Sequence, residues 1–347
     1  MTRSVGIVGA GAAGVGAAYA LRDADADVAV LEASRGVGGR AATRRKRGCR
    51  YDHGANYVKG GGRTAELVRS LGADGLVDVE EPVWTFDVDG TISEGDPDRR
   101  DDHKWTWTGG IAQLAERLLD RTDATVEREV RIEALERAAD GWWTIAADGS
   151  ERGPFDALVL TPPAPQVAGL LAETKWQSPH LPALREAVGA VPYRPIRTVV
   201  LHYPFELDRP YYALVNADRE HEVGWVAREE CKEGHVPAGE CLLVVQMAPE
   251  WSAAHDDDPP DEAAATAADA VAELLGENRL RDPDWVDDRA WRYALPDDGA
   301  DREVVRRGEE DGLFFAGDWV AGEGRVHEAL WSGVEAGERI ERRVLRR

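Results

Sequence analysis

The first thirty residues alternate between hydrophobic runs and small residues in an order typical of a strand, a helix and a second strand. The stretch "SVGIVGA" (4–10) is apolar enough for a strand that is buried on both faces, as in a parallel sheet. In "AGVGAAYALRDA" (13–24) small and apolar residues recur at helical spacing, and "DVAVLEA" (27–33) is again typical of a buried strand. The pattern therefore predicts a β–α–β unit that opens a parallel sheet.

The other hydrophobic segments predict a C-terminal strand and helix and a separate sheet. "DGLFFAGDWV" (311–320) is typical of a buried strand, and "GRVHEALWSGVEAGERIERRV" (324–344) has the periodicity of an amphipathic helix. "DEAAATAADAVAELLGE" (261–277) predicts another helix. Several short apolar runs in the middle of the chain predict strands of a mostly antiparallel sheet, namely "RTVVLHYPF", "YYALV", "VGWVAR" and "CLLVVQMA".

Three glycines occupy the turn between the first strand and its helix. Gly9 allows a tight turn, Gly11 allows the close approach of a pyrophosphate, and Gly14 allows close packing of the helix on the strand. The helix N-terminus supplies amide donors to the phosphates, and Glu32, at the end of the second strand, accepts hydrogen bonds from ribose hydroxyls. The sequence therefore predicts a dinucleotide site. Its predicted residues in this region are Gly9, Gly11, Ala13, Gly14, Glu32 and Ala33.

Composition changes the picture mainly through charge. The 347 residues carry a formal net charge of -23 at pH 7, which excludes general nucleic-acid binding. This acidity, with few lysines, resembles that of proteins from salt-loving archaea. Molar salt shortens the Debye length to about 3 Å and so screens the repulsion between like charges of the protein. The cationic run "RRKR" (44–47) fits a solvated loop, and the alternative is that Arg44 or Arg45 neutralises phosphates of the cofactor or substrate.

The hydrophobic runs and the cysteines predict the compartment. No run approaches the roughly 18 apolar residues of a membrane span, and the strand-like start at Ser4 argues against a secretory signal. Cys49, Cys231 and Cys241 share no metal or redox spacing, which favours a reducing compartment. We therefore expect a cytoplasmic protein without an integral membrane segment. The sequence has no Cys-x-x-Cys and no second glycine fingerprint, which argues against a disulfide reductase architecture.

The segment after the second strand contains a glycine pair and an arginine that an ordinary nicotinamide dehydrogenase does not need. This stretch, "ASRGVGGRAATRR" (33–45), resembles the extended fingerprint of FAD proteins in the flavin amine oxidase and protoporphyrinogen oxidase superfamily. The resemblance implies that FAD is the cofactor. It also implies that Gly39 and Arg40 wrap its pyrophosphate, the arginine acting as a fixed guanidinium donor.

The C-terminal strand and helix agree with this resemblance. In the superfamily the aspartate after the terminal strand holds the ribityl chain and pyrophosphate region, which implies that role for Gly317 and Asp318. The next helix aims its N-terminus at the pyrimidine edge of the flavin, which implies contacts from Arg325 and Val326. A helix N-terminus stabilises the negative charge of reduced flavin by roughly 1 kcal/mol.

The stretch "RYDHGANYV" (50–58) is similar to the Asp-His-Gly-Ala-x-Tyr signature of renalase-like FAD oxidoreductases, a branch of the same superfamily. That resemblance implies that His53, Gly54 and Ala55 contact the cofactor. "EVRIEAL" (129–135) resembles the strand whose backbone meets the adenine, around Val130. Further matches are "WTWTGGIAQLAERLL" (105–119), "FDALVLTPPAPQV" (155–167) and "WRYALP" (291–296).

The resemblance implies a mixed α/β fold with two interleaved domains. One is a Rossmann-type, glutathione-reductase-like FAD-binding domain formed by residues 1–59, 105–165 and 286–347. The other is an α+β substrate domain on a mostly antiparallel sheet, formed by residues 60–104 and 166–285.

The catalytic candidates are aromatic and histidine side chains on segments that the resemblance places near the flavin. His327 opens the C-terminal helix and would hydrogen-bond the flavin or the substrate, or else serve as a capping or packing residue. Tyr57 and Trp107 are the other candidates; Trp105 and Trp107 fit a pocket wall or plain core. His53 fits a role in fixing its loop over the flavin.

Three functions remain open at this stage. The first is a renalase-like oxidase, in which a dihydronicotinamide isomer gives a hydride to flavin N5 and O2 takes the electrons. The second is a flavin amine oxidase or dehydrogenase that acts on a small amine. The third is a flavoprotein with structural FAD that serves a partner. In the first two the direct partners are a small-molecule substrate and an electron acceptor, with no nucleic acid.

Overall fold

A computed structural model describes residues 2–99 and 102–346. The chain divides into two compact units, and each unit is assembled from separate stretches of sequence. Unit 1 comprises Met1–Arg40, Leu114–Tyr193 and Leu295–Arg347, and unit 2 comprises Ala41–Gln113 and Arg194–Ala294. None of the helices in the described ranges combines the length and the apolar character needed to cross a lipid bilayer.

The elements are numbered in chain order. The strands are β1 Arg3–Val8, β2 Ala26–Glu32, β3 Thr43–Lys46, β4 Cys49–Asp52, β5 Val58–Lys59, β6 Leu76–Asp78, β7 Val83–Phe86, β8 Ile92–Ser93, β9 Lys104–Trp107, β10 Thr125–Arg128, β11 Ile132–Arg137, β12 Trp142–Ala146, β13 Glu151–Phe155, β14 Ala157–Leu160, β15 Tyr193–Tyr203, β16 Ala213–Asn216, β17 Val223–Arg228, β18 Cys241–Met247, β19 Trp285–Pro296 and β20 Leu313–Phe315. The α-helices are α1 Ala12–Ala20, α2 Gly62–Ser70, α3 Gln113–Leu119, α4 Ala164–Ala172, α5 Leu181–Gly189, α6 Pro249–Ala254, α7 Pro260–Leu275, α8 Arg302–Arg306, α9 Asp318–Ala321 and α10 Val326–Ile340.

Unit 1 is built on a five-stranded sheet in the order β10-β2-β1-β14-β20, and all its strand pairs are parallel. Strand β14 and most of β1 are buried, which explains their continuous apolar runs. A second, antiparallel sheet contains β11, β12 and β13. The predicted β–α–β opening and the mixed α/β fold class are confirmed.

Helices α1 and α10 of unit 1 pack at unusually short range because glycines line their contact. A methyl group at Gly333 would lie 1.9 Å from the Ala13 carbonyl oxygen, and one at Gly337 would lie 2.7 Å from the Ala17 oxygen. On the other helix, a methyl group at Gly16 would lie 2.4 Å from the Leu330 oxygen. Two of these contacts, Gly333 with Ala13 and Gly337 with Ala17, advance together along both helices.

Unit 2 is built on a seven-stranded sheet in the order β19-β15-β18-β17-β16-β7-β8. The four strands predicted from the middle of the chain are β15, β16, β17 and β18, and they pair with one another antiparallel. The predicted helix is α7, which ends where Gly276 adopts a left-handed conformation with φ of 61°. Alanines and leucines of α7 form one core with this sheet.

The boundaries of the two compact units differ from the predicted domain boundaries. Residues 41–59, 105–113 and 286–294 belong to unit 2, whereas residues 166–193 belong to unit 1. Helices α4 and α5 lie in unit 1 because their leucines and valines share a core with β14 and β20. The hairpin β3–β4 lies in unit 2, where Tyr51 packs against Val200 and Leu242. The assignment of cofactor and substrate roles to the domains stays a prediction.

We expect Gly333→Ala to destabilise the protein by about 1–3 kcal/mol or more. The new methyl group would overlap a backbone oxygen of α1, which cannot move without the rest of its helix. Gly169→Ala is the matched control, since Gly169 also lies in a helix but has open space around it. The control should gain stability by about 0.4–1 kcal/mol. Denaturant unfolding in molar KCl measures both changes, and equal stability of the two variants would contradict the close packing.

Candidate functional site

The glycine turn of unit 1 has the tight geometry that the sequence predicted. Gly9 has φ of +99° and donates its N–H to the Leu31 oxygen at 2.8 Å. A methyl group at Gly14 would lie 1.9 Å from the Gly9 oxygen. The chain itself therefore requires glycine at both positions: one because of its left-handed backbone and the other because helix α1 starts so close to β1.

Gly11 is different, because nothing in the chain explains it. Its backbone is extended, with φ of -74°, and a methyl group there would meet only the Gly38 oxygen at 4.0 Å. It lies at the start of α1, which has no side-chain cap and no acidic residue in its first turn. The first N–H groups of such a helix attract an anion, and Ala13 lies in that turn. Open space beside Gly11 therefore fits the pyrophosphate of a dinucleotide.

Glu32 is buried beside this turn and is already engaged by the backbone. One carboxylate oxygen accepts the Ala10 N–H at 2.7 Å and the other accepts the Ser34 N–H at 2.7 Å. The residue thus shapes the turn as well as offering further lone pairs to a ribose. Ala33 follows it, and the N–H of Val130 donates to the Glu32 carbonyl oxygen at 2.9 Å.

Arg40 and Asp318 form a bidentate ion pair across 278 positions of sequence. The two guanidinium–carboxylate distances are 2.7 and 2.8 Å, and Asp318 is only 4% exposed. Burial alone would lower the pKa of Arg40, but the Asp318 carboxylate raises it above its ordinary value, with a smaller contribution from Tyr193. The sequence predicted separate cofactor contacts for the two residues, and the structure brings them together.

The glycine pair before Arg40 lies against the first glycine turn. Gly38 donates its N–H to the Ala10 oxygen at 2.8 Å and forms a bridge with Gly11. Gly39 has φ of +57°, and a methyl group there would lie 3.3 Å from the Gly11 Cα. The structure thus brings together the predicted residues Gly9, Gly11 and Gly39.

The first turn of α10 in unit 1 is partly exposed to solvent. Arg325 precedes the helix without a side-chain cap, and Val326 and His327 form its first turn. The His327 Nε2 lies 3.5 Å from the Glu328 carboxylate, and its side chain is 21% exposed. Gly317 donates its N–H to the Ser332 hydroxyl of α10 at 3.1 Å, which ties the predicted aspartate turn to this helix.

In unit 2 the segment from His53 to Tyr57 is fixed by side chains of three strands. Trp291 donates to the His53 carbonyl oxygen at 3.1 Å, and Gln246 donates to the Gly54 oxygen at 2.7 Å. Trp225 donates to the Asn56 side-chain oxygen at 2.9 Å. The predicted residues Gly54 and Ala55 are part-exposed within this anchored loop.

The imidazole of His53 is buried, and its Nδ1 has no hydrogen-bond partner among the described residues. The ring lies 5.2 Å from the Trp291 ring. Burial, together with the positive charges of Arg44 and Arg289 and against the opposing charge of Asp287, lowers the pKa of His53 to about 4. His53 is therefore neutral at physiological pH.

The other aromatic candidates lie in two places of unit 2. The Tyr57 ring lies 6.3 Å from that of Tyr212 and 6.4 Å from that of Trp225, so the three rings form one cluster. Trp105 stacks on His103 with 4.7 Å between the rings. Trp107 is fully buried, which favours the core interpretation of this side chain over contact with a substrate.

The cationic run 44–47 forms part of the β3–β4 hairpin. Arg44 donates to the Asp287 carboxylate at 2.7 Å, and Tyr51 donates to the same oxygen at 2.7 Å. Arg45 is exposed. The proposed phosphate contact of Arg44 therefore competes with an existing ion pair.

Sequence reasoning missed a fully buried cluster of charged side chains in unit 2. The Lys232 Nζ lies 3.0 Å from a carboxylate oxygen of Asp52 and 3.0 Å from one of Glu229. Burial alone would lower the pKa of Lys232, but these two carboxylates raise it. His235 approaches the Glu229 carboxylate at 2.9 Å with Nδ1 and the Trp107 carbonyl oxygen at 2.8 Å with Nε2.

Both ring nitrogens of His235 face acceptors. The additional proton that this geometry requires lies either on the imidazole, which is then a cation, or on Glu229. In either case the four groups together are neutral. Asp52 also accepts hydrogen bonds from Thr43 and from the Ile111 N–H. The cluster therefore fixes the residue that directly precedes His53. The only sequence signal was the rarity of lysine, because Asp52 lies 180 positions from Lys232.

We expect Lys232→Met to destabilise the protein by about 3–5 kcal/mol, because it leaves two carboxylates buried without their cation. Lys175→Met is the control, since the Lys175 side chain is 78% exposed in its pair with Glu136 and its loss should have no measurable effect. Thermal unfolding of both variants decides the matter, and a small effect at Lys232 would contradict the charged state of the cluster.

Comparisons with known proteins agree with this architecture. The model of the family described as flavin containing amine oxidoreductase matches residues 78–340, and that of the NAD(P)-binding Rossmann-like domain matches residues 7–71. Cyclohexylamine oxidase from Brevibacterium oxydans IH-35A is similar in structure, with a TM-score of 0.73, 16% identity and 99% of each chain covered.

Two other similar structures carry different names. A CLA-producing fatty acid isomerase from P. acnes has a TM-score of 0.69 at 16% identity, covering 97% of this chain and 98% of that one. A reduced UDP-galactopyranose mutase has a TM-score of 0.75 at 11% identity, covering 98% and 94%. These likenesses show the fold, whereas the family match covers most of the sequence. The chain belongs to the flavin-containing amine oxidoreductase family and is an FAD-dependent oxidoreductase.

Proposed function

We propose that this protein oxidises a dihydronicotinamide isomer in the renalase-like manner, with O2 as the electron acceptor. The observation that carries the proposal is the surroundings of His53, a neutral and buried imidazole within the influence of two arginines. A bound FAD supplies the hydride acceptor and the route for electrons to O2. The protein supplies binding, orientation and the local charge.

The cofactor residues that we propose lie in unit 1. The first turn of α1 beside Gly11 would bind the pyrophosphate, and Glu32 would accept from the ribose. Asp318 holds the Arg40 guanidinium in a fixed orientation, and this positioned cation would attract the phosphate oxygens. The N-terminus of α10 at Val326 would stabilise negative charge on the reduced ring.

The orphaned Nδ1 of His53 supports a role in binding. A buried nitrogen without a partner costs free energy unless a cofactor or substrate supplies one. Because the imidazole is neutral, it can donate from one ring nitrogen and accept at the other. We propose that His53 hydrogen-bonds a group of the cofactor or substrate and does not act as a cation.

The charges near His53 support an anionic substrate over a protonated amine. Among the largest charge effects on the pKa of His53, Arg44 and Arg289 lower it, and Asp287 and Asp52 oppose them. Asp52 is neutralised within its own buried cluster, and Asp287 is shared with Arg44. The charge that remains is that of Arg289, which would attract the phosphates of a dinucleotide and repel an ammonium group.

A flavin amine oxidase is the second candidate, and the family match is what favours it. The cluster of Tyr57, Tyr212 and Trp225 is the kind of aromatic surface that also binds an organic cation. The third candidate, structural FAD that serves a partner, predicts no reducing substrate at all.

Anaerobic mixing of the FAD-loaded protein with the 2- and 6-dihydro isomers of NADH tests the proposal. We expect these isomers to bleach the flavin absorption rapidly and air to restore it. Simple amines are tested in parallel. Molar KCl should be present, because it screens the net charge of -23. Bleaching by amines alone would favour the second candidate. A loaded flavin that only light reduces, and that returns slowly in air, would favour the third.

Replacement of His53 tests its role. We expect His53→Phe to slow flavin reduction by roughly tenfold or more, because it removes a hydrogen bond to the bound group. His53→Asn should recover much of the rate, since its amide can occupy the position of Nδ1. With a pKa of about 4, the wild-type imidazole is already neutral at pH 6, so His53 adds no step to the rate between about pH 6 and 8. A step in that range that disappears in His53→Phe would contradict the neutral state.

A further inference from the structure

A thiol, an imidazole and a carboxylate converge in unit 2, at the opposite end of β4 from Asp52. They belong to Cys49 on β4, His202 on β15 and Glu240, which directly precedes β18. Their sulfur, nitrogen and oxygen atoms all lie within 4.8 Å of one another. Cys49 is a free cysteine with 1% exposure, and His202 is 5% exposed.

His202 is held between two carboxylates. Its Nε2 lies 2.8 Å from a Glu240 oxygen, and its Nδ1 lies 3.6 Å from an Asp284 oxygen. That Nδ1 is buried and has no hydrogen-bond partner among the described residues. The ring stacks on Trp285 with 4.9 Å between centroids, which fixes its orientation. A neutral imidazole has only one N–H, so both nitrogens are satisfied only if the ring takes a second proton or if a cation lies beside one of them.

A cation beside Nε2 satisfies both nitrogens without a second proton on the ring. The Nδ1–H then points to Asp284, as in the carboxylate–histidine–metal arrangement that orients many ligating histidines. Cysteine sulfur, histidine nitrogen and glutamate oxygen are together the ligand types that Zn²⁺ uses. Metal–ligand bonds of about 2.0–2.1 Å place a tetrahedral nitrogen and oxygen about 3.3 Å apart, so the His202–Glu240 contact must open by only roughly 0.5 Å.

The buried cluster around Lys232 is a contrasting case, in which a side-chain cation already lies between the carboxylates. Asp52, Glu229 and His235 also lie within 4.8 Å of one another, but the Lys232 ammonium lies between the two carboxylates. By contrast, within residues 2–99 and 102–346 no lysine or arginine forms an ion pair with Glu240. The Glu240 side chain is 33% exposed, so an ion can reach the site from solvent.

We propose that Cys49, His202 and Glu240 bind one Zn²⁺-like divalent cation, with water in the fourth position. Binding releases the thiol proton to solvent and links β4, β15 and the start of β18. The site's place among these strands makes it a stabilising site of unit 2.

Titration with Co²⁺ of the metal-free holoenzyme, with its thiols reduced and its flavin oxidised, tests the proposal directly. We expect one equivalent to bind in molar KCl, with thiolate charge-transfer absorption and ligand-field bands at wavelengths beyond those of the oxidised flavin. Zn²⁺ should displace Co²⁺ and raise the thermal unfolding midpoint. Failure to develop these bands would overturn the proposal.

Ligand variants distinguish this site from cation binding elsewhere on an acidic surface. Cys49→Ser should abolish the charge-transfer band, and His202→Gln should weaken Zn²⁺ binding at least tenfold, since even the loss of a supporting group costs about 10–100-fold. Cys231→Ser is the matched control, because that thiol lies outside the three-residue site, and it should bind as the wild type does. Glu240→Gln, at a part-exposed position, provides the test if a buried variant fails to fold. Binding that survives Cys49→Ser with an unchanged spectrum would identify an adventitious ion only.

Discussion

The close packing of α1 against α10 is the constraint on which the architecture of unit 1 depends. Gly333 lies under the Ala13 oxygen and Gly16 under the Leu330 oxygen, at distances that no side chain would permit. Such approach brings Cα–H groups against carbonyl oxygens and leaves no room for water. Each of the two helices carries the positive end of its dipole at its N-terminus. One comes from the start of the chain and the other from its end.

A second long-range contact fixes the same region. The Arg40–Asp318 ion pair connects the segment after β2 to the turn after β20, and the Gly317 N–H joins that turn to α10 through Ser332. A bidentate pair of this kind orients both groups, which a point-charge contact would not do. In unit 2 the neutral cluster around Lys232 has the corresponding task, since Asp52 connects the β3–β4 hairpin to the Ile111 backbone.

The fold by itself does not decide the reaction. Similar structures carry the names of an amine oxidase, a fatty acid isomerase and a sugar mutase. The differences must lie in side chains that face the substrate. For this chain we propose that these side chains include the neutral His53 imidazole, the arginines around it and the aromatic cluster at Tyr57. Their electrostatic balance, more than their identity, is the basis on which we propose an anionic substrate.

The sequence by itself determined the β–α–β opening, the glycine turn and the strands of the second sheet, because periodicity and glycine placement act within a few residues. It also indicated a flavin protein, since the motifs at both ends of the chain are local. Only the tertiary structure decided that Arg40 pairs with Asp318, that Trp107 is fully buried and that Lys232 is enclosed by Asp52 and Glu229. The same holds for the convergence of Cys49, His202 and Glu240, whose sequence spacing carries no metal motif. Charge pairing and burial depend on which distant strands become neighbours, and no local pattern records that.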